Sequence, residues 1–189
     1  MPTPREAGRS ATAARTDVLN MLKEDHKKVK KAFQAFERLE KGRQSEERQA
    51  LVEQTCAELT LHAMLEEEVF YPAIREAMRE QALIDEAEVE HGSAKTLIAD
   101  LQQLAPEDRA WPATFKVLGE YIQHHIKEEE SEIFPQLTRA KLDWDNLLQL
   151  MQARRESLEE ELLPQGAQSN ASRTQRRMVT EASGSDDEP

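Results

Sequence analysis

The sequence predicts an all-α protein: an up-down-up-down four-helix bundle, one further helix near the C-terminus, and disordered ends. Three observations carry this. Leu, Glu, Ala, Gln and Arg are plentiful, whereas Gly and Pro number 6 and 8 in 189 residues, a mix that favours helix nearly everywhere. Apolar residues recur at alternating steps of three and four along five segments, the mark of a helix with one buried face. The segments are joined by short stretches, which set neighbouring helices antiparallel. The expected division is a disordered N-terminus over residues 1–16, one helical domain over 17–163 and a disordered tail over 164–189.

The first helix is expected to start at a Thr16 or Asp17 cap. Its stripe is Leu19, Leu22, His26, Val29, Phe33 and Phe36, with Lys27, Lys28, Lys30 and Lys31 on the other faces, and Gly42 closes it. The second opens at Ser45 and carries Val52, Thr55, Leu59, His62, Glu66, Val69 and Ala73. Pro72 should bend or break it, because proline lacks an N–H and its ring meets the preceding turn. The third runs from about Gln81 to Leu104, with Ile84, Ala87, His91, Ala94, Ile98, Leu101 and Ala105 on its stripe. Pro106-Glu107-Asp108 forms a turn. The fourth starts near Pro112, a favoured first-turn residue. It presents Phe115, Leu118, Ile122, His125, Glu129 and then Glu132 or Ile133 before Pro135 interrupts it. The last helix spans Trp144 to Leu163, with Leu147, Leu150, Met151, Arg154, Leu158 and Leu162, and should cover one end or side of the bundle.

Composition excludes several classes. The formal charge of −12 opposes nonspecific nucleic-acid binding. No apolar run approaches the roughly 20 residues of a membrane span. The first residues hold Arg5, Arg9 and Arg15 without an apolar core, so they are no secretory signal and resemble a transit peptide only faintly. A cytoplasmic location fits best. Cys56 is alone, which leaves no disulfide framework and no thiolate cluster.

What remains is a polar pattern inside the apolar stripes. His62 and Glu66 stand four apart, as do His125 and Glu129, and the two pairs are offset by 63 residues (125 − 62 and 129 − 66). Each pair has a lone upstream histidine, His26 and His91, and a proline ten residues past its His, Pro72 and Pro135. Spacing of four puts both side chains on one helix face. A carboxylate buried without a partner costs several kcal/mol. Four imidazoles and two carboxylates make a poor apolar core. They make a good ligand set for two first-row metal ions, with each Glu able to bridge. Neutral imidazole and carboxylate donors suit iron, manganese or zinc.

The residues around these ligands carry a resemblance. Leu22-Lys23-Glu24-Asp25-His26, His62 through Pro72 (HAMLEEEVFYP) and His125 through Pro135 (HIKEEESEIFP) are similar to the hemerythrin-like, or HHE cation-binding, domains over residues 17 to 163. The resemblance implies a left-handed four-helix bundle with a non-haem di-iron centre. It makes His26, His62, His91 and His125 terminal ligands and Glu66 and Glu129 bridging ones. Two departures from the oxygen carriers stand out. Lys95 occupies the place of a fifth histidine, and Glu129 follows its His by four residues where the carriers place a carboxylate at five. Simple oxygen transport is therefore not what the resemblance implies. It points to iron binding with reaction or sensing of dioxygen, peroxide or nitric oxide, a peroxide-decomposing enzyme and a metal-stabilised interaction module being the alternatives.

The remaining polar residues take lesser roles. His124 is expected at the surface. Tyr121, four before His125, is expected to pack, with a place over the metals as the alternative. Asp25 and Glu90 are candidates to hydrogen-bond the free ring nitrogen of a different ligand, with surface roles an equal expectation. Glu67, Glu68, Glu128 and Glu130 are expected to form a solvated acidic face, one of them able to bind or guide iron.

Overall fold

The computed structural model describes residues 10–40 and 45–163. Helix α1 is Ala11–Glu40 and α2 is Ser45–Leu65. The chain then continues without a break through a π-helical turn, Glu66–Phe70, into α3, Tyr71–Ile74, and a 3₁₀ turn, Arg75–Ala77. After a short link, α4 (Ala82–Gln103) and α5 (Ala110–Glu128) repeat the design. A second π turn, Glu129–Ile133, leads into α6 (Phe134–Gln136) and a 3₁₀ turn, Leu137–Arg139. Helix α7, Trp144–Leu162, closes the described chain. There is no strand among the described residues.

The four long helices close a ring. Helix α1 packs on α2 and α5, and α4 packs on α5 and α2. The fifth helix, α7, lies against α1, α2 and the first π turn. It thus covers one side of the bundle and leaves the α4–α5 side open. Asp143 starts α7 by accepting a hydrogen bond from the Asn146 N–H at 3.1 Å. Trp144, Leu147, Leu148, Met151 and Leu158 face inward, whereas Leu150, expected on the stripe, is 52% exposed.

The apolar interior divides in two. One cluster holds Val29, Phe33, Phe36, Leu59, Trp111, Phe115, Leu118 and their neighbours; the other holds Leu22, Leu65, Phe70, Tyr71, Ile74, Ile84, Phe134, Trp144 and theirs. His26 falls between Leu22 of one cluster and Val29 of the other, and His91 between Ala87 and Ala94. The polar stripe residues therefore form one layer between two hydrophobic cores.

The first cluster is closed where α5 comes nearest α1. A Cβ on Gly119 would lie 2.9 Å from the Phe33 ring, and that ring is held against Phe115 at 4.9 Å between centroids. Gly119→Val should therefore overpack the site and cost about 1–3 kcal/mol, read as a lowered thermal midpoint.

Three expectations need correction. The N-terminal boundary lies earlier: α1 begins at Ala11, and Ala14 is fully buried in the cluster that holds Trp144 and Leu147. Arg15 also donates to the Thr138 carbonyl. The cover supplied by the chain's distant end makes this alanine-rich turn worth ordering. Pro72 and Pro135 break nothing. Each sits in the first turn of a short helix just after a π turn. A π turn takes in one residue more than an α turn and leaves carbonyls without an α-type partner. Proline has no N–H to offer them and loses nothing there. The extra residue also slips the buried stripe. Beyond Glu66 it runs through Phe70, Tyr71 and Ile74 instead of Val69 and Ala73, and beyond Glu129 through Ile133, Phe134 and Leu137. The third and fourth helices differ slightly at their ends, Ala105 being exposed and Pro112 third in its helix. Gly42, the Ser45 side chain, residues 1–9 and the tail from 164 lie outside the described residues.

Candidate metal centre

All six expected residues meet in the polar layer. His26, His62, Glu66, His91, His125 and Glu129 are each at most 5% exposed. Their ligand atoms form two groups: His26, His62, Glu66 and Glu129 in one, and Glu66, His91 and His125 in the other. Glu66 belongs to both. Its Oε2 lies 3.2 Å from His62 Nε2 and 3.4 Å from His91 Nε2. Glu129 Oε2 lies 3.2 Å from His26 Nε2 and 3.8 Å from His125 Nε2. Each carboxylate thus stands between a histidine of its own helix pair and one of the other pair.

Every imidazole is fixed from behind by a carboxylate. His26 Nδ1–H donates to Glu130 (2.8 Å), His91 Nδ1–H to Glu67 (3.0 Å), His125 Nδ1–H to Glu90 (2.8 Å), and His62 Nδ1–H faces Asp25 at 3.4 Å. With Nδ1 given to a carboxylate, Nε2 is the nitrogen left for a ligand, and all four Nε2 atoms turn inward. His91 Nε2 and His125 Nε2 stand 3.2 Å apart. Backing of this kind orients metal-binding histidines and raises their basicity.

The donor set fits a pair of cations. His26 Nε2, His62 Nε2, Glu66 Oε1 and Glu129 Oε2 are buried side-chain atoms with no hydrogen-bond partner. Buried polar atoms in folded proteins are nearly always satisfied. Here inward lone pairs and carboxylate oxygens converge, and a shared positive ion answers both.

Electrostatics shows the same demand. Burial alone would lower the His62 pKa, but Glu66, and Asp25 at Nδ1, hold it up at about 9. His125 is also raised: burial opposes this, and Glu90 and Glu129 prevail. Glu129 is lowered by the surrounding histidines, His26 foremost, against the upward push of burial. In the metal-free chain the charged His62 imidazole thus stabilises the fold fully below its ordinary value of 6.5, and this contribution disappears as pH rises through about 9. Metal-free protein should therefore melt at falling temperatures across that window in a pH series of thermal scans. Bound metal, which replaces the proton on Nε2, should flatten the decline.

Several residues take other places than expected. Tyr121 is 50% exposed and neither packs inside nor reaches the centre. Tyr71 does. It is fully buried, and its hydroxyl donates to Glu129 Oε1 at 2.9 Å and lies 3.3 Å from Glu66 Oε2. Burial, then the two carboxylates, push its pKa well up, so the hydroxyl stays a donor. Glu67 and Glu130, expected on a solvated face, back His91 and His26. Lys95 Nζ bonds both oxygens of Glu67, at 2.7 and 2.6 Å, and so stands behind the carboxylate that backs His91. Asp25 and Glu90 take the backing role, behind His62 and His125, and not the surface one. His124 is a surface residue between Glu128 (3.2 Å) and Glu90 (3.7 Å), and Glu68 pairs with Arg154.

A family model, the hemerythrin HHE cation binding domain, matches residues 17–137, well over half of the chain. The chain belongs to this family. The HHE match begins inside α1 and ends in the 3₁₀ turn after α6, so it takes in all six buried candidates and leaves out α7. The HHE chain is also 27% identical over 121 residues to a protein named DNA nickase from Nostoc sp. (strain PCC 7120). That similarity covers 62% of this chain and 32% of the relative, so the chain spans about a third of that protein's length. No solved structure matches. Among the described residues no helix is long and apolar enough to cross a membrane.

Proposed function

We propose that this HHE protein holds two non-haem iron ions between its helix pairs and reacts with, or senses, dioxygen, peroxide or nitric oxide. The observation that carries the reading is the convergence of four inward Nε2 atoms on two shared, buried carboxylates. Nitrogen and carboxylate donors without a thiolate suit iron, manganese or zinc, and iron is the choice the family resemblance favours. Bound there, an iron pair with open positions supplies a place for a small oxidant and a store of electrons.

The chain's own residues shape what can happen. The Tyr71 hydroxyl donates to Glu129 and lies against Glu66, which fixes the Glu129 carboxylate and draws off some of its charge. A narrow cavity of about 20 Å³ touches all four histidines and is otherwise walled mainly by Val29, Leu59, Ala63, Ala94, Ile98 and Ile122. That volume suits a single small molecule, and its apolar wall favours an uncharged one. Lys95 is committed to Glu67 and adds no fifth imidazole, which supports a role other than the carriers' reversible transport.

A cytoplasmic location fits the reading. The relative's nicking activity is not carried over: the shared stretch is a third of that protein, and a chain of charge −12 repels nucleic acid.

The test is metal content and optical spectrum of protein made with and without iron, before and after peroxide. Two irons per chain with a charge-transfer band that responds to peroxide support the proposal. Continued iron-dependent peroxide consumption, lost in His62→Ala, favours the enzymatic form. A folded, iron-supplied chain without metal overturns it, and an inert centre leaves a metal-stabilised interaction module.

A further inference from the structure

Behind each backing carboxylate stands a basic side chain: Lys30 at 3.5 Å from Glu130, Lys95 at 2.6 Å from Glu67, His124 at 3.7 Å from Glu90, and Arg155 on Asp25. Three of these outer groups are surface side chains, 40%, 43% and 63% exposed. Exposed pairs contribute little. The fourth differs in kind. Arg155 is 17% exposed, and Asp25 11%. Its Nη1 donates to Asp25 Oδ1 at 3.2 Å and its Nη2 to Oδ2, a two-pronged contact. Such forked, sheltered pairs are strong and depend on the guanidinium shape. Arg155 comes from α7, beyond the HHE match.

Resting on the metal-centre reading above, we infer that Arg155 is a positioning residue of that centre, acting through Asp25 to hold the His62 ring. Helix α7 is then part of the centre, and the two metal positions are unequal. The one built on His26 and His62 is braced by a half-buried arginine, and the one built on His91 and His125 by surface side chains alone. Arg155 holds the Asp25 carboxylate in place with two hydrogen bonds, Asp25 faces His62 Nδ1, and Nε2 is left aimed at Glu66.

The test uses the full chain and metal titration with ferrous iron. In a His125→Ala background, which retains the His26–His62 position, Arg155→Met should weaken binding about 10–100-fold, the usual effect of losing an outer partner. In a His26→Ala background the same substitution should change nothing. Arg155→Lys should restore only part of the loss. Leu158→Ala, which loosens α7 from within the apolar core, should lower the thermal midpoint and spare the affinity difference. Equal affinity with and without Arg155, or the same selective loss in Leu158→Ala, overturns the inference. A second measurement separates it from the parent reading. In metal-free protein the hydrogen-bonded Nδ1 proton of His62, seen by NMR, should broaden or vanish in Arg155→Met and persist in Leu158→Ala. A chain that takes up no metal defeats the parent reading alone, whereas an unchanged His62 signal defeats this one.

Discussion

Glu66→Ala is expected to abolish binding of both metal ions, whereas His91→Ala should leave one. Glu66 is the one residue present in both groups of candidate ligand atoms. Its Oε2 is within 3.4 Å of imidazoles from both helix pairs. Removing it takes a donor from each position at once and also the negative charge that allows two cations to sit close together. His91 serves one position only. Elemental analysis of purified variants separates the outcomes: no metal for Glu66→Ala and half the wild-type content for His91→Ala. Circular dichroism must show retained helix in both. Glu66→Ala protein with wild-type metal content would sink the shared-carboxylate account.

Inserting one alanine after Glu68 should destabilise the protein severely, whereas Glu68→Ala should be mild. The Glu68 side chain is exposed and pairs with Arg154 at the surface, where ion pairs contribute little. The backbone is less tolerant, because Glu68 lies in the π turn Glu66–Phe70, which already holds one residue more than an α turn. A second extra residue would turn everything beyond it by about 100°. Phe70, Tyr71 and Ile74, all at 0% exposure, would leave the core. Each is worth about 1.5–3 kcal/mol of burial, so the sum approaches the whole stability of an ordinary domain, about 5–15 kcal/mol. Deleting Glu68 instead sets the three at three, four and seven residues after Glu66, the α-helical spacing of the same face, and should cost far less. Urea titration should find the insertion unfolded or nearly so, with Glu68→Ala close to wild type and the deletion between them. An insertion variant with near-native stability would mean that the π turn does not set the register.

That contrast explains what was legible in the sequence. The four long helices and their six buried polar residues could be read because up to Glu66 and Glu129 the spacing is α-helical, and steps of three and four map directly onto one face. Past those glutamates the map fails. Tyr71 stands five after Glu66, a position that an α-helix turns aside and a π turn brings back to the carboxylates. Proline was the visible sign, but it reads equally as a break. Glu67 and Glu130 were misplaced for another reason. On their own helices they point away from the neighbouring ligand, and only a facing helix, unseen in one-dimensional spacing, supplies His91 and His26. Asp25 and Glu90 could be named as candidates because carboxylates commonly back metal-bound histidines, but spacing alone did not separate that role from a surface one. Arg155 had no such signal, since nothing local connects α7 to a residue 130 positions earlier.

The crossing of the carboxylates has a mechanical meaning. Glu66 reaches from the α1–α2 pair to His91 of the α4–α5 pair, and Glu129 reaches back to His26. A metal ion held at either place would be a clasp between two hairpins. Without it, the same surfaces would press two acids and four imidazoles together across a seam, and the seam should open more often. Opening exposes backbone to proteases in proportion to the population of the open form. The lifetime of the chain would then follow the supply of metal, so that the protein's own abundance becomes a gauge of it.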